Sequence, residues 1–192
     1  MRQPVLRTWV SGGYVTAQVI VPVANDGGTW IALDQFESSW TIKAPDGSVT
    51  ATQDYFDAVV PGAIGPGETG YAVAEDFTDE FKEEDFDSPD ADIYYNEAEP
   101  VAPIESSNIR VRKDSLGGIT VTGEVYNPAD TAIEYGSIVA IFLNDAGEIL
   151  GYASGSLENV EPGDTKAFEA SSSFAEIDLS AIAKTEVYAS PD

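Results

Sequence analysis

Twelve carboxylates crowd residues 75–99 against a single lysine, Lys82. Clustered carboxylate oxygens are what a hard divalent cation takes, so the stretch is a candidate calcium site. Its ligands would be Asp79, Glu83, Asp85, Asp87 and Asp90. The spacing is not that of an EF-hand. Counting from Asp85, Asp87 fits the third position, but Pro89 takes the fifth and Asp90 stands where the turn glycine belongs. The competing reading is a solvated acidic connection between two strands, and charge runs favour it. Weak calcium binding is the only cofactor chemistry expected. The equivalent loop in the second half, 171–183, holds only Glu176 and Asp178, so the acidity is not demanded by the fold.

Aromatic rings interleave with those acids. Phe77, Phe81 and Phe86 are spaced by four and five, which suits one face of a short helix. They either pin the segment to the protein body or offer a patch to a partner. Phe81, Phe86, Trp30 and Tyr94 are the candidate partner-binding residues. Trp9, Trp30 and Trp40, with Tyr94 and Tyr95, could also form a platform that stacks on sugar rings. Trp40 falls in a central strand and is expected in the core, whereas Trp30, placed in a connection, is expected at the surface.

Catalysis has little to work with. There is no histidine and no cysteine, which removes the usual general base, thiolate chemistry and the common transition-metal ligands. Among 34 acidic residues some pair will always stand at a glycosidase spacing, so that signal is nearly empty. The Gly-x-Ser-x-Gly elbow is missing, and the glycine-rich stretch 62–67 lacks the lysine and helix start of a phosphate loop. The chain reads as a non-enzyme.

Nine basic residues leave a net charge of -25. Such a surface repels nucleic acid and anionic lipid, and expresses either generic solubility or adaptation to high salt. The longest mostly apolar stretch, 15–24, is too short to span a bilayer. Met1-Arg2-Gln3-Pro4 opens no signal peptide, so any leader or anchor is expected upstream.

The elements that would position these side chains occur twice. Asn25, Gly47 and the pair Pro66-Gly67 reappear as Asn127, Gly147 and Pro162-Gly163, at offsets of 102, 100 and 96. That period suits one small β-sandwich, not a solenoid. Alternation over 15–24 and 119–126 marks strands, and Asp46-Gly47 and Asp145-Ala146-Gly147 mark hairpin turns. Further strands are expected at 38–43, 49–55, 69–74 and 91–96, and again at 136–143, 149–154, 165–170 and 184–189. Residues 138–143 are apolar on both faces, as in a central strand. Short helical turns are expected near 78–84 and 173–183. Pro100 and Pro103 mark a semi-stiff linker. Beyond it, 108–112 reads as an edge strand with basic side chains outward.

The second copy, with Val121-x-Gly123-x-Val125-x-Asn127, Ile141-Phe142-Leu143-Asn144-Asp145, Gly147, Pro162-Gly163 and Phe168, resembles the FxLYD family over roughly 105–190. The first copy is a weaker relative. Ile141 and Asn144 replace the Phe and Tyr that name the family. The resemblance implies an immunoglobulin-like sandwich in an extracytoplasmic protein, often a lipoprotein, and brings no catalytic residue.

The expectation is therefore all-β, with two tandem immunoglobulin-like sandwiches at 1–103 and 104–192. The expected role is a non-catalytic envelope or secreted module that spaces or docks onto another protein or envelope component, with no nucleic acid and no transmembrane segment. The alternative is a calcium-dependent adhesion or glycan-binding module built on 75–99.

Overall fold

A computed structural model describes residues 3–114, 117–172 and 177–191. These residues are all-β, apart from two single 3-10 turns at Glu83–Asp85 and Leu179–Ala181. The chain divides into two compact units, Met1–Val59 with Ala63–Pro100, and Val60–Gly62 with Val101–Asp192.

The first seven strands are β1 (Val5–Ser11), β2 (Tyr14–Ala24), β3 (Trp30–Lys43), β4 (Val49–Gln53), β5 (Ala58–Val60), β6 (Thr69–Thr78) and β7 (Ser88–Ala98). They form two sheets, ordered β1-β2-β6-β5 and β4-β3-β7. Alternation along β2 sends Val15, Ala17, Val19, Val21 and Val23 into one core. There they meet Ile31, Leu33, Trp40 and Ile42 of β3, and Ala72 and Ala74 of β6. Fully burying a valine or isoleucine contributes about 2 kcal/mol, so this stripe sets the register. Sequence reading did not foresee β1, which pairs with β2 from Val5↔Ile20 to Ser11↔Tyr14.

The second unit contains β8 (Glu105–Lys113), β9 (Ile119–Tyr126), β10 (Ile133–Leu143), β11 (Ile149–Val160), β12 (Thr165–Ser172) and β13 (Lys184–Pro191). They are ordered β13-β10-β11-β12-β9-β8. Ile138 to Phe142 are solvent-free, and β10 lies between two neighbours, as an all-apolar strand must. Strand β11 pairs with β10 from Ile149 to Val160, yet among the described residues meets β12 at one registered pair, Ser154↔Ser171. The seam closes because Gly155 has no side chain. A Cβ there would sit 2.3 Å from the Glu169 carbonyl oxygen.

The sequence echo is a structural identity. Asn25 Nδ2 donates to the carbonyls of Thr29 (2.8 Å) and Ile64 (2.9 Å), and its Oδ1 accepts from Gly27 N (3.0 Å). Asn127 does the same with Thr131 (2.9 Å), Val160 (2.9 Å) and Ala129 (3.0 Å). Both are buried. Each also bonds through its own backbone to the Pro-Gly turn, Asn25 with Glu68 and Gly67, Asn127 with Asp164 and Gly163. The side-chain amide ties the loop carbonyl just ahead of it to a carbonyl of the segment opposite, giving the Ile64 oxygen a second donor beside Ile31 N.

The copies differ in how the chain reaches that opposite carbonyl. Strand β11 runs unbroken to Val160, whose place in the first unit is taken by Ile64, bridged to Ile31 by two backbone bonds of 3.1 and 2.7 Å. The first unit reaches that point through two short strands, β4 and β5. The expected helical turns shrink to the two 3-10 turns. Residues 173–176, including Glu176, lie outside the described residues.

Candidate functional site

The β4-β3-β7 sheet of the first unit carries a bulge that the matching strands of the second unit lack. Strand β3 pairs with β7 at Asp34↔Tyr94 and next at Ser39↔Asp92, so residues 35–38 face Ile93 alone. Local chemistry builds this detour. Asp34 Oδ1 accepts from the backbone N–H of Phe36 (3.0 Å) and Glu37 (3.1 Å), an Asx-type turn. The buried Ser38 hydroxyl donates to the Asp34 carbonyl and accepts from Tyr94 N at 3.0 Å, standing in for the lost ladder bonds. The outcome is Phe36 at 73% exposure. In the second unit β10 runs against β13 without interruption from Gly136↔Pro191 to Leu143↔Lys184.

Beside the bulge lies β7, at the end of its sheet and, among the described residues, paired only with β3. Asp90, Asp92 and Tyr94 recur at period two on its exposed face, and Asp90 engages Lys43. Exposed rings and carboxylates on a rigid sheet are equipped to bind.

The predicted partner residues separate. Tyr94 is exposed, at 48%. Phe86 is not available to a partner: it belongs to the core with Trp40 and Val15. Phe81 is exposed at its rim and meets Phe86 edge-on, at 6.2 Å and 89°. Phe77 stacks instead on Tyr14, at 4.7 Å and 10°. The helical face expected for the three phenylalanines does not form, because Phe77 ends on β6 and only Glu83–Asp85 turns helically. Trp30 opens β3 and is half-buried, not set in a connection; a Cβ on Gly65 would meet its ring at 3.1 Å. Trp9 and Trp40 are buried, so the three tryptophans make no exposed platform.

The candidate metal ligands are likewise dispersed. Much of the acidic stretch is strand, leaving only 79–87 as the connection between β6 and β7. Asp85 Oδ2 accepts from Lys82 N (2.9 Å), Glu83 Oε1 from the Thr8 hydroxyl (3.2 Å), and Asp90 is held by Lys43. Asp79 and Asp87 are exposed. Among the described residues no three acidic side chains converge as a metal site would require.

The carboxylates with displaced titration lie elsewhere. Burial pushes Glu75 upward; a hydrogen bond from Gln18 Nε2 (2.9 Å) opposes this, and the Asp57 charge adds to it. Asp57 is also raised by desolvation, against a bond from Glu75 N (2.7 Å). Asp57 keeps more solvent, so Glu75 is the stronger case. A carboxyl raised in the folded state holds its proton more tightly there than when unfolded. Stability is therefore lost as pH climbs from the ordinary value, 4.5 for Glu75, through the folded one. Glu75→Gln is expected to raise the thermal midpoint at neutral pH and to lose that advantage in acid. Equal midpoints at neutral pH would show that Glu75 ionises without cost.

No known protein family matches the chain, and no curated protein matches it. Among the described residues no helix is long and apolar enough to cross a membrane.

Sequence reasoning overlooked Phe36. It placed a strand at 91–96 within the acidic run, whereas strand covers 75–78 and 88–98 of it.

Proposed function

We propose that this chain is a pair of tandem immunoglobulin-like sandwiches serving as a non-catalytic, extracytoplasmic protein-interaction module, in the envelope or secreted. The strand order supports the fold. β1-β2-β6-β5 over β4-β3-β7 follows the A-B-E-D and C′-C-F neighbours of an immunoglobulin sandwich. β8-β9-β12 and β11-β10-β13 repeat those neighbours within the second unit. The resemblance to FxLYD domains supports the location.

The observation that carries the role is where the copies differ. They share turn glycines and the buried asparagine. The first unit alone has the bulge with Phe36 and the acidic, tyrosine-bearing β7. Divergence of an exposed surface on a common scaffold is the pattern of a binding site grafted on a fold.

The test immobilises the full chain beside a variant carrying Phe36→Ser, Asp92→Lys and Tyr94→Ser, and exposes both to a cell-envelope fraction at low and high salt. The expected result is a protein retained by the first and lost from the second, with weaker capture at high salt. Retention of the same proteins by both, or of none at either salt, would count against the reading.

A further inference from the structure

We propose that the partner of β7 is β8 of a second copy, so that the chain associates head to tail by strand addition. This rests on the interaction-module reading and names its occupant.

Two strands end their sheets with opposite charge. β7 carries Asp90, Asp92 and Glu97 and no base. β8 carries Arg110, Arg112 and Lys113, a third of the nine basic residues in the chain, against Glu105 alone. Charges on edge strands ordinarily keep like edges apart. Here the charges are split by sign, so β7 repels β7 and β8 repels β8, while β7 and β8 attract beyond the β8 bulge at 108–109.

The spacing fits as well as the sign. Asp90 and Asp92 are two apart on the exposed face of β7, and Arg110 and Arg112 are two apart on the exposed face of β8. In an antiparallel pairing, the register that sets Asp90 opposite Arg112 also sets Asp92 opposite Arg110. Opposite charges directly across a ladder are favourable, and among the described residues neither strand has a ladder partner on its outer edge. The present partners, Lys43 for Asp90 and Glu169 for Arg112, are solvent-exposed pairs that exchange at little cost. The sheet of β7 is also one strand shorter than the sheet β1-β2-β6-β5. Because the two surfaces differ, the contact is heterologous.

The experiment is sedimentation velocity over a concentration series at ~0.15 M salt, where a screening length of about 8 Å leaves contact pairs intact and mutes the net repulsion. One variant carries Arg110→Asp and Arg112→Asp, the other Asp90→Arg and Asp92→Arg. All four positions are exposed, and circular dichroism checks each fold. Wild-type mass is expected to rise with concentration. Each variant alone is expected to associate at least about tenfold more weakly, and an equimolar mixture of the two to regain association. Wild type that stays monomeric throughout overturns the proposal, as do variants that associate like wild type or a mixture that does not recover. If a basic extended peptide then binds β7 of monomeric wild type, self-pairing alone has failed and the interaction-module reading stands.

Discussion

Replacing Asn127 with alanine is expected to destabilise the second unit by about 3 kcal/mol. Three side-chain hydrogen bonds disappear from a buried site, each worth ~1 kcal/mol net. Water has little access, since Asn127 is 1% exposed. Asn127→Asp should be no milder at neutral pH. It keeps the acceptor for Ala129 N but turns an oxygen, and a charge, toward two carbonyl oxygens. Asn25→Ala should have the same effect in the first unit. The three tryptophans, Trp9, Trp30 and Trp40, all belong to that unit. Urea titration followed by tryptophan fluorescence therefore reports on Asn25→Ala, and far-UV circular dichroism on both variants. A loss below about 1 kcal/mol, the ordinary size of a point-mutant effect, would show that the three bonds are replaced in another way.

Gly155→Val is expected to cost about 3 kcal/mol, at the upper end of overpacking effects. The added Cβ would lie 2.3 Å from the Glu169 carbonyl oxygen and 3.1 Å from Ala170 Cα, both backbone and unable to swing aside. β11 and β12 must separate, and the registered pair Ser154↔Ser171 is lost. Hydrogen exchange should show faster opening along 165–172 in the variant. Gly147→Ala is the control. Its turn has φ 77° with open space around the new methyl, so it costs only left-handed strain, about 1–2 kcal/mol. A Gly155→Val protein no less stable than Gly147→Ala would mean that the seam is not held closed.

What was legible in the sequence was local. Asn25 and Asn127, the turn glycines and the Pro-Gly pairs announce themselves because turns demand special residues within a few positions. The central placement of β10 followed from its two apolar faces. β1 was missed because Arg7 and Thr8 blur its alternation. The end of β11 was missed because Gly155 reads as a breaker when it is a point of close approach. The bulge did leave a trace. Core residues fall at odd positions in Ile31 and Leu33 but at even positions in Trp40 and Ile42, and such a change of phase requires extra residues between them. Nothing local said that the Ser38 hydroxyl would meet Tyr94, 56 residues away. Phe81 and Phe86 followed a helical spacing, but a single 3-10 turn intervened. The dispersal of the acids was invisible for the same reason: spacing along a chain does not say which side chains share a point in space.

The paired asparagines also bear on how two sister units fold side by side without exchanging parts. Each clasp has a near half and a far half. The near half reaches two and four residues ahead, to Gly27 and Thr29 or to Ala129 and Thr131. Closing loops that short takes on the order of 100 ns or less, against microseconds for a hairpin. The far half spans 39 residues in the first unit and 33 in the second. Each amide is thus oriented by its own neighbours before a distant carbonyl arrives. During synthesis the first clasp can close before the competing strand of its sister exists. A tandem duplicate is otherwise prone to intramolecular swapping, and here the order of events along the chain opposes it.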